Sequence, residues 1–163
     1  MFTLQVRVFI VIILAALTSR PNTADEPGDK IDASLLQKLR GEWCVVTYVY
    51  NGKPFTQLAG IPLKEISMVF SGRTMSVWMG DTVGWPMEIK QLVSDGDSAT
   101  IKYEMVRPVR ETFWHRFKVN GDKLNTCGGS SRGGPPDELK SEPGSRNTLM
   151  VFQRKKTTVP KGD

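Results

Sequence analysis

The sequence predicts an all-β domain: eight antiparallel strands in an up-and-down barrel, preceded by one short helix. Three observations carry this expectation. From Glu42 onward the apolar residues recur with a period of two, as in half-buried strands, and not with the period of a helix. Turn-forming groups punctuate the pattern: Asn51-Gly52, Ser71-Gly72-Arg73, Gly80-Asp81, Asp95-Gly96-Asp97 and Asn120-Gly121-Asp122. Short strands in direct succession form a meander, and a meander of this length removes its exposed edges by closing on itself. The 163 residues suffice for one domain with its own core.

The first residues differ from the rest. Val8–Leu17, VFIVIILAAL, is an unbroken apolar run behind a single Arg7. It is too short to span a bilayer, which takes about 20 residues, and has the length of a signal-peptide core. Residues 1–24 are therefore expected to be a signal peptide cleaved after Ala24, with Ser19 as a second cleavage candidate. The location that follows is extracytoplasmic, periplasmic or secreted, with no stable membrane span once the signal is removed. Losing Arg7 and Arg20 lowers the formal net charge from +5 to +3. So mild an excess, with Arg154-Lys155-Lys156 as its densest run, argues against nucleic acid as a partner.

Residues 25–31 form a polar lead-in. In DASLLQKLRG, Asp32 suits an N-cap, Leu35, Leu36 and Leu39 share a helical face, and Gly41 can end the helix. The strands are expected at Glu42–Tyr50, Glu65–Phe70, Thr74–Met79, Trp85–Leu92, Ser98–Met105, Glu111–Val119, Asp122–Cys127 and Asn147–Arg154. Two connections are longer: Lys53–Lys64, and Gly128–Ser145, which reads as a flexible surface loop. The domain thus runs over 32–156, with a tail at 157–163.

Alternation assigns faces. Ile66, Met68, Phe70; Met75, Val77, Met79; Trp85, Met87, Ile89; Ile101, Tyr103, Met105; and Phe113, His115, Phe117, Val119 are expected to point inward. The first strand has two apolar faces, Trp43/Val45/Val49 and Val46/Tyr48/Tyr50. Its outer side therefore needs a cover, and the Leu35/Leu36/Leu39 helix or a terminal segment is the obvious candidate.

Gly41-x-Trp43 opens the first strand and Arg154 ends the last, the pairing found at the closing seam of lipocalin-like barrels, where an arginine packs across the tryptophan. More specifically, the chain resembles an uncharacterised bacterial lipocalin-like domain family. Its opening motif is matched by Leu39, Gly41, Trp43, Val45 and Gly52, and its G-D-x-L-x-x-C element by Gly121, Asp122, Leu124 and Cys127. A Pro-containing loop and a final apolar strand are matched by Pro136 and Leu149–Arg154. The stretch FWHRFKVNGDKL lacks the Gly-Ile-Tyr-like element that family members carry before G-D-x-L. The resemblance implies a lipocalin-like barrel and brings no activity with it.

No chemical motif rises above that fold. One His and two separated Cys make no zinc-type ligand set. Asp95 and Asp97 flank Gly96 as a hairpin turn would. Serine-hydrolase, phosphate-loop and dinucleotide patterns are missing. The expectation is a non-enzyme without metal or cofactor. In a closed meander Cys127 ends the seventh strand, two strands or about 10 Å from Cys44. A disulfide needs Cα atoms about 4.4–6.8 Å apart, so none is expected.

An eight-stranded barrel either fills its interior or holds one small ligand. The leading expectation is a binding module for a small apolar or amphipathic ligand, with Met75, Met87, Tyr103, Met105, His115 and Phe117 as candidate lining. Methionine suits permissive apolar surfaces, and His115 could reach a ligand oxygen. The alternative is a protein-interaction or envelope-structural module with a filled barrel. It would act through Trp78, Trp114 or the Gly128–Pro136 loop toward a partner the sequence does not name.

Overall fold

The computed structural model describes residues 30–84, 86–105, 111–129 and 134–156. The expected signal peptide, most of the lead-in, Trp85, residues 130–133 and the 157–163 tail lie outside the described residues. The fold is a closed eight-stranded antiparallel barrel with a single short helix. Helix α1 (Ala33–Leu39) leads into β1 (Gly41–Tyr50). The barrel continues through β2 (Ile66–Ser71), β3 (Thr74–Met79), β4 (Met87–Asp95), β5 (Ser98–Met105), β6 (Glu111–Asn120), β7 (Lys123–Gly128) and β8 (Thr148–Arg154). Each strand pairs with the next, and β8 pairs back onto β1. Among the described residues, no helix is long and apolar enough to cross a membrane.

The closing seam is built by Trp43 and Arg154, register partners across β1 and β8. The Arg154 guanidinium lies 4.0 Å from the centre of the fully buried Trp43 ring. The same guanidinium donates to the carbonyls of Arg40 at 2.6 Å and Lys38 at 2.7 Å. Trp43 Nε1 donates to the carbonyl of Leu39 at 2.7 Å. A helix leaves its last carbonyls without partners, and here the seam supplies the donors. A cation at that end also opposes the negative pole of the helix. Gly41 sits between these parts with φ +113°, and a Cβ there would stand 3.3 Å from Arg154 Nη1. Glycine thus both turns the chain out of α1 and leaves room for the guanidinium.

The helix does not cover the outside of β1. Asp32 caps it, its carboxylate accepting from the backbone N–H groups of Ser34 and Leu35. Leu39 is buried in the core, and Leu35, Leu36 and Ile31 pack against that core. Residues 30–32 run alongside β4: Leu92 N donates to Lys30 O at 2.8 Å and Asp32 N donates to Leu92 O at 2.9 Å. The helix therefore closes one end of the barrel.

The two faces of β1 have a different explanation. The β1–β8 register slips between Val45 and Thr47, so Val46 is an extra residue. Such a bulge reverses the parity beyond it. Trp43 and Val45 point inward before it, and Tyr48 and Tyr50 border the interior after it. Val46 is 54% exposed. A second slip, between Ile89 and Gln91 in β4, brings both Ile89 and Leu92 into the core.

The long connection after β1 is structured. Lys53–Phe55 folds back on the end of β1, and Gln57–Leu58 pairs with Ile61–Pro62 in a small hairpin. The described part of the loop before β8 is fastened rather than loose. Arg116 Nε donates to Pro136 O at 2.7 Å, and Cys127 Sγ donates to Lys140 O at 3.1 Å. Ser141 Oγ donates to Asn147 O at 2.6 Å.

Candidate functional site

The interior has two halves. Next to α1, large side chains fill it: Trp43, Phe70, Met75, Ile101, Phe117 and Leu124 are all buried. Toward the other end, smaller residues stand at comparable positions, among them Val77, Ser67, Gly128 and Thr148, and the barrel is hollow. The cavity there has a volume of about 520 Å³, within the range of roughly 300–1,000 Å³ usual for small-molecule sites. Its wall is mainly apolar, from Val45, Ile66, Met68, Val77, Phe113, Met150 and Phe152. Leu58 and Leu63, from the structured connection after β1, roof it, and Tyr48 and Tyr50 stand at its edge. Arg146, exposed at the rim, is the one charged side chain bordering it among the described residues.

The polar groups gather at the floor. Tyr103 on β5 and His115 on β6 lie two residues apart across neighbouring strands, and the phenol oxygen is 2.8 Å from His115 Nε2. Phe113 stacks on the Tyr103 ring with centroids 5.5 Å apart. Gly128 is the register partner of His115 on β7, and a Cβ there would be 2.5 Å from Nε2. The imidazole occupies the space that a side chain at 128 would take. Beneath the pair is a second void of about 20 Å³, bordered by Tyr103, His115, Phe117 and Thr126, room for about one water. Thr126 Oγ1 is buried beside it with no hydrogen-bond partner among the described residues.

Burial sets the charge of this floor. Desolvation lowers the His115 pKa to about 4, so the ring is neutral at pH 7. Burial pushes the Tyr103 phenol upward, so it keeps its proton. Tyr103 and His115 thus form a neutral hydrogen-bonded pair facing an apolar chamber.

Of the six residues suggested by parity and composition, the structure brings two, Tyr103 and His115, to the cavity. Met75 and Phe117 are in the packed half, against the small void. Met87 and Met105 are half-buried register partners on β4 and β5 and do not border the cavity. The correction has a simple cause: alternation tells which residues point inward, whereas height along the barrel decides which of them meet empty space. The lining that sequence reasoning missed comes from β8 (Thr148, Met150), from Tyr48 and Tyr50 beyond the bulge, and from Leu58 and Leu63. The last two carried only a weak signal, as isolated apolar residues in a connection otherwise read as loop.

Cys44 and Cys127 are both free thiols, on β1 and β7 with β8 between them. Asp95 and Asp97 each face a cation of β6: Arg116 at 2.7 Å and Lys118 at 3.3 Å. On the outside, Trp114 lies under Lys102, whose Nζ is 5.5 Å from the ring centre. Trp78 is 38% exposed, beside a shallow groove that also holds Cys44 and the Glu42–Lys155 ion pair. Comparison of the chain with family models, curated proteins and solved structures returns no match.

Proposed function

We propose that this protein is an exported, non-catalytic binding module that holds one small, largely apolar molecule in the open half of its barrel. The observation that carries the reading is the 520 Å³ chamber with apolar walls and a single convergent polar pair, Tyr103 and His115. A large apolar pocket with a few converging polar groups and a perturbed pKa is the usual form of a small-molecule site. A barrel filled throughout by side chains would account for the half beside α1 and not for this one. Export rests on the apolar run at Val8–Leu17.

The chemistry of the pair supports binding over catalysis. A general base works best with a pKa near the operating pH. An imidazole that titrates near 4 is a weak base at neutrality, and its bonded partner is a phenol rather than an orienting carboxylate. The test is native mass spectrometry of the full chain purified from its native host, followed by extraction of whatever is bound. A stoichiometric small molecule supports the reading. An empty protein that also fails to take up a neutral apolar fluorophore such as N-phenyl-1-naphthylamine overturns it.

A further inference from the structure

The floor of the cavity and its rim differ in charge, and that difference restricts the ligand. His115 uses Nε2 for Tyr103. Among the described residues its other ring nitrogen, Nδ1, has no hydrogen-bond partner. The side chain borders both the main cavity and the small void beneath it. Thr126 Oγ1, buried and unpartnered, borders that lower void and not the main cavity, so of these two groups it is His115 that reaches both. The cavity places no cation there, because Arg146 lies exposed at the rim.

A purely hydrocarbon ligand would leave the free imidazole nitrogen covered and unbonded, which is unfavourable. A carboxylate pushed down to the floor would lose its hydration with no opposite charge to replace it, which is worse. A neutral oxygen meets both conditions, since it satisfies the ring nitrogen and brings no charge. A hydroxyl suits either tautomer, because it can accept from an Nδ1–H or donate to a bare Nδ1.

We propose that His115 is the specificity-determining side chain of this cavity, selecting an apolar molecule whose buried end carries a neutral hydroxyl or carbonyl oxygen over the same skeleton ending in a carboxylate. This rests on the binding reading above. The ligand enters apolar body and neutral oxygen first, and any charged group it carries stays at the rim beside Arg146.

The test is displacement of N-phenyl-1-naphthylamine from the full chain at pH 7 by 1-decanol, decanoate and decane. Decanol is expected to bind at least about tenfold more tightly than either of the others, the worth of one hydrogen bond made against one left unmade. The double variant His115→Leu/Tyr103→Phe should bring decanol down to decane, since His115→Leu alone frees the Tyr103 hydroxyl in the same cavity, and His115→Gln should keep most of the preference. The chain has one histidine, so its imidazole ¹⁵N resonances are assigned without variants, and they should move with decanol and stay with decane. Equal affinities, or imidazole signals that ignore decanol, overturn the selection and leave a cavity that binds by shape alone. Decanoate binding tightest, and weakening in Arg146→Ala, overturns it in favour of a head group held at the rim. Failure of the fluorophore itself to bind removes the binding reading and this inference together.

Discussion

The neutral state of His115 predicts how stability depends on acid, and the sign can be worked out. The imidazole pKa falls from 6.5 to about 4 in the folded barrel because burial penalises the charged ring. Between those values the unfolded chain takes up a proton that the folded chain refuses. Stability is thus greatest above about pH 6.5, declines as the pH drops, and stops declining from this cause near pH 4, where the folded state begins to bind the proton. At roughly 1.4 kcal/mol per pH unit, His115 alone accounts for about 3 kcal/mol over that window. The perturbation is His115→Phe, which removes the titration and adds a pH-independent cost from the Tyr103 hydroxyl left without its partner. Urea unfolding at pH 7, 6, 5 and 4 measures both proteins, and carboxylate effects common to the two cancel in the difference. The wild type should lose about 3 kcal/mol more than the variant between pH 7 and 4. Parallel decline of the two, or an imidazole that titrates by NMR at pH 6 or above, would refute a desolvated histidine and with it the neutral floor.

Three further outcomes follow from the packing. Arg154→Ala removes the stacking on Trp43 and the donors to Lys38 O and Arg40 O. With the side chain 28% exposed, a loss of about 2–3 kcal/mol is expected, seen as a thermal midpoint lower by roughly 5–10 °C; no change would count against the seam. Gly128→Ala puts a methyl group 2.5 Å from His115 Nε2. It should displace the ring from Tyr103 at a cost of about 2–4 kcal/mol and shift the imidazole resonances. Phe117→Ala and Met150→Trp should separate the two halves of the interior. The first should destabilise by about 3–5 kcal/mol with fluorophore uptake retained by the molecules still folded. The second, filling the chamber, should abolish uptake with the fold kept.

Much of the fold can be read directly from the sequence, because period-two alternation and turn residues are local signals. Asn120-Gly121-Asp122 and Asp95-Gly96-Asp97 locate two hairpins without any knowledge of the rest. The seam is legible for a related reason: Gly41, Trp43 and Arg154 are residue types whose sizes and charges make sense only together. The division of the interior into a packed and a hollow half is not legible, because it is a sum over strands. Phe70, Met75, Phe117 and Leu124 come from β2, β3, β6 and β7, and only the three-dimensional register reveals that they share one level while Val77, Gly128 and Thr148 share another. Alternation placed Met75, Met87 and Met105 on the inward face. It did not tell which of them face a void.

The bulge at Val46 shows why the site in particular escapes sequence reasoning. With strict alternation, Val49 would follow Trp43 and Val45 into the interior, and Tyr48 and Tyr50 would face solvent. One extra residue in β1 reverses that outcome without altering composition or the spacing of any turn. Trp43 serves the packed half, and Val45 lines the cavity wall. The two tyrosines are released from the opposite parity to stand at the edge of the chamber. Phe55, folded back beside Tyr48 with ring centres 5.7 Å apart at a steep angle, holds that side chain in place. The same slip leaves Val46 exposed, an apolar residue on the wrong face whose cost is small. The two apolar faces of β1 are thus a single inward face, interrupted once, and the interruption falls where the barrel changes from core to cavity.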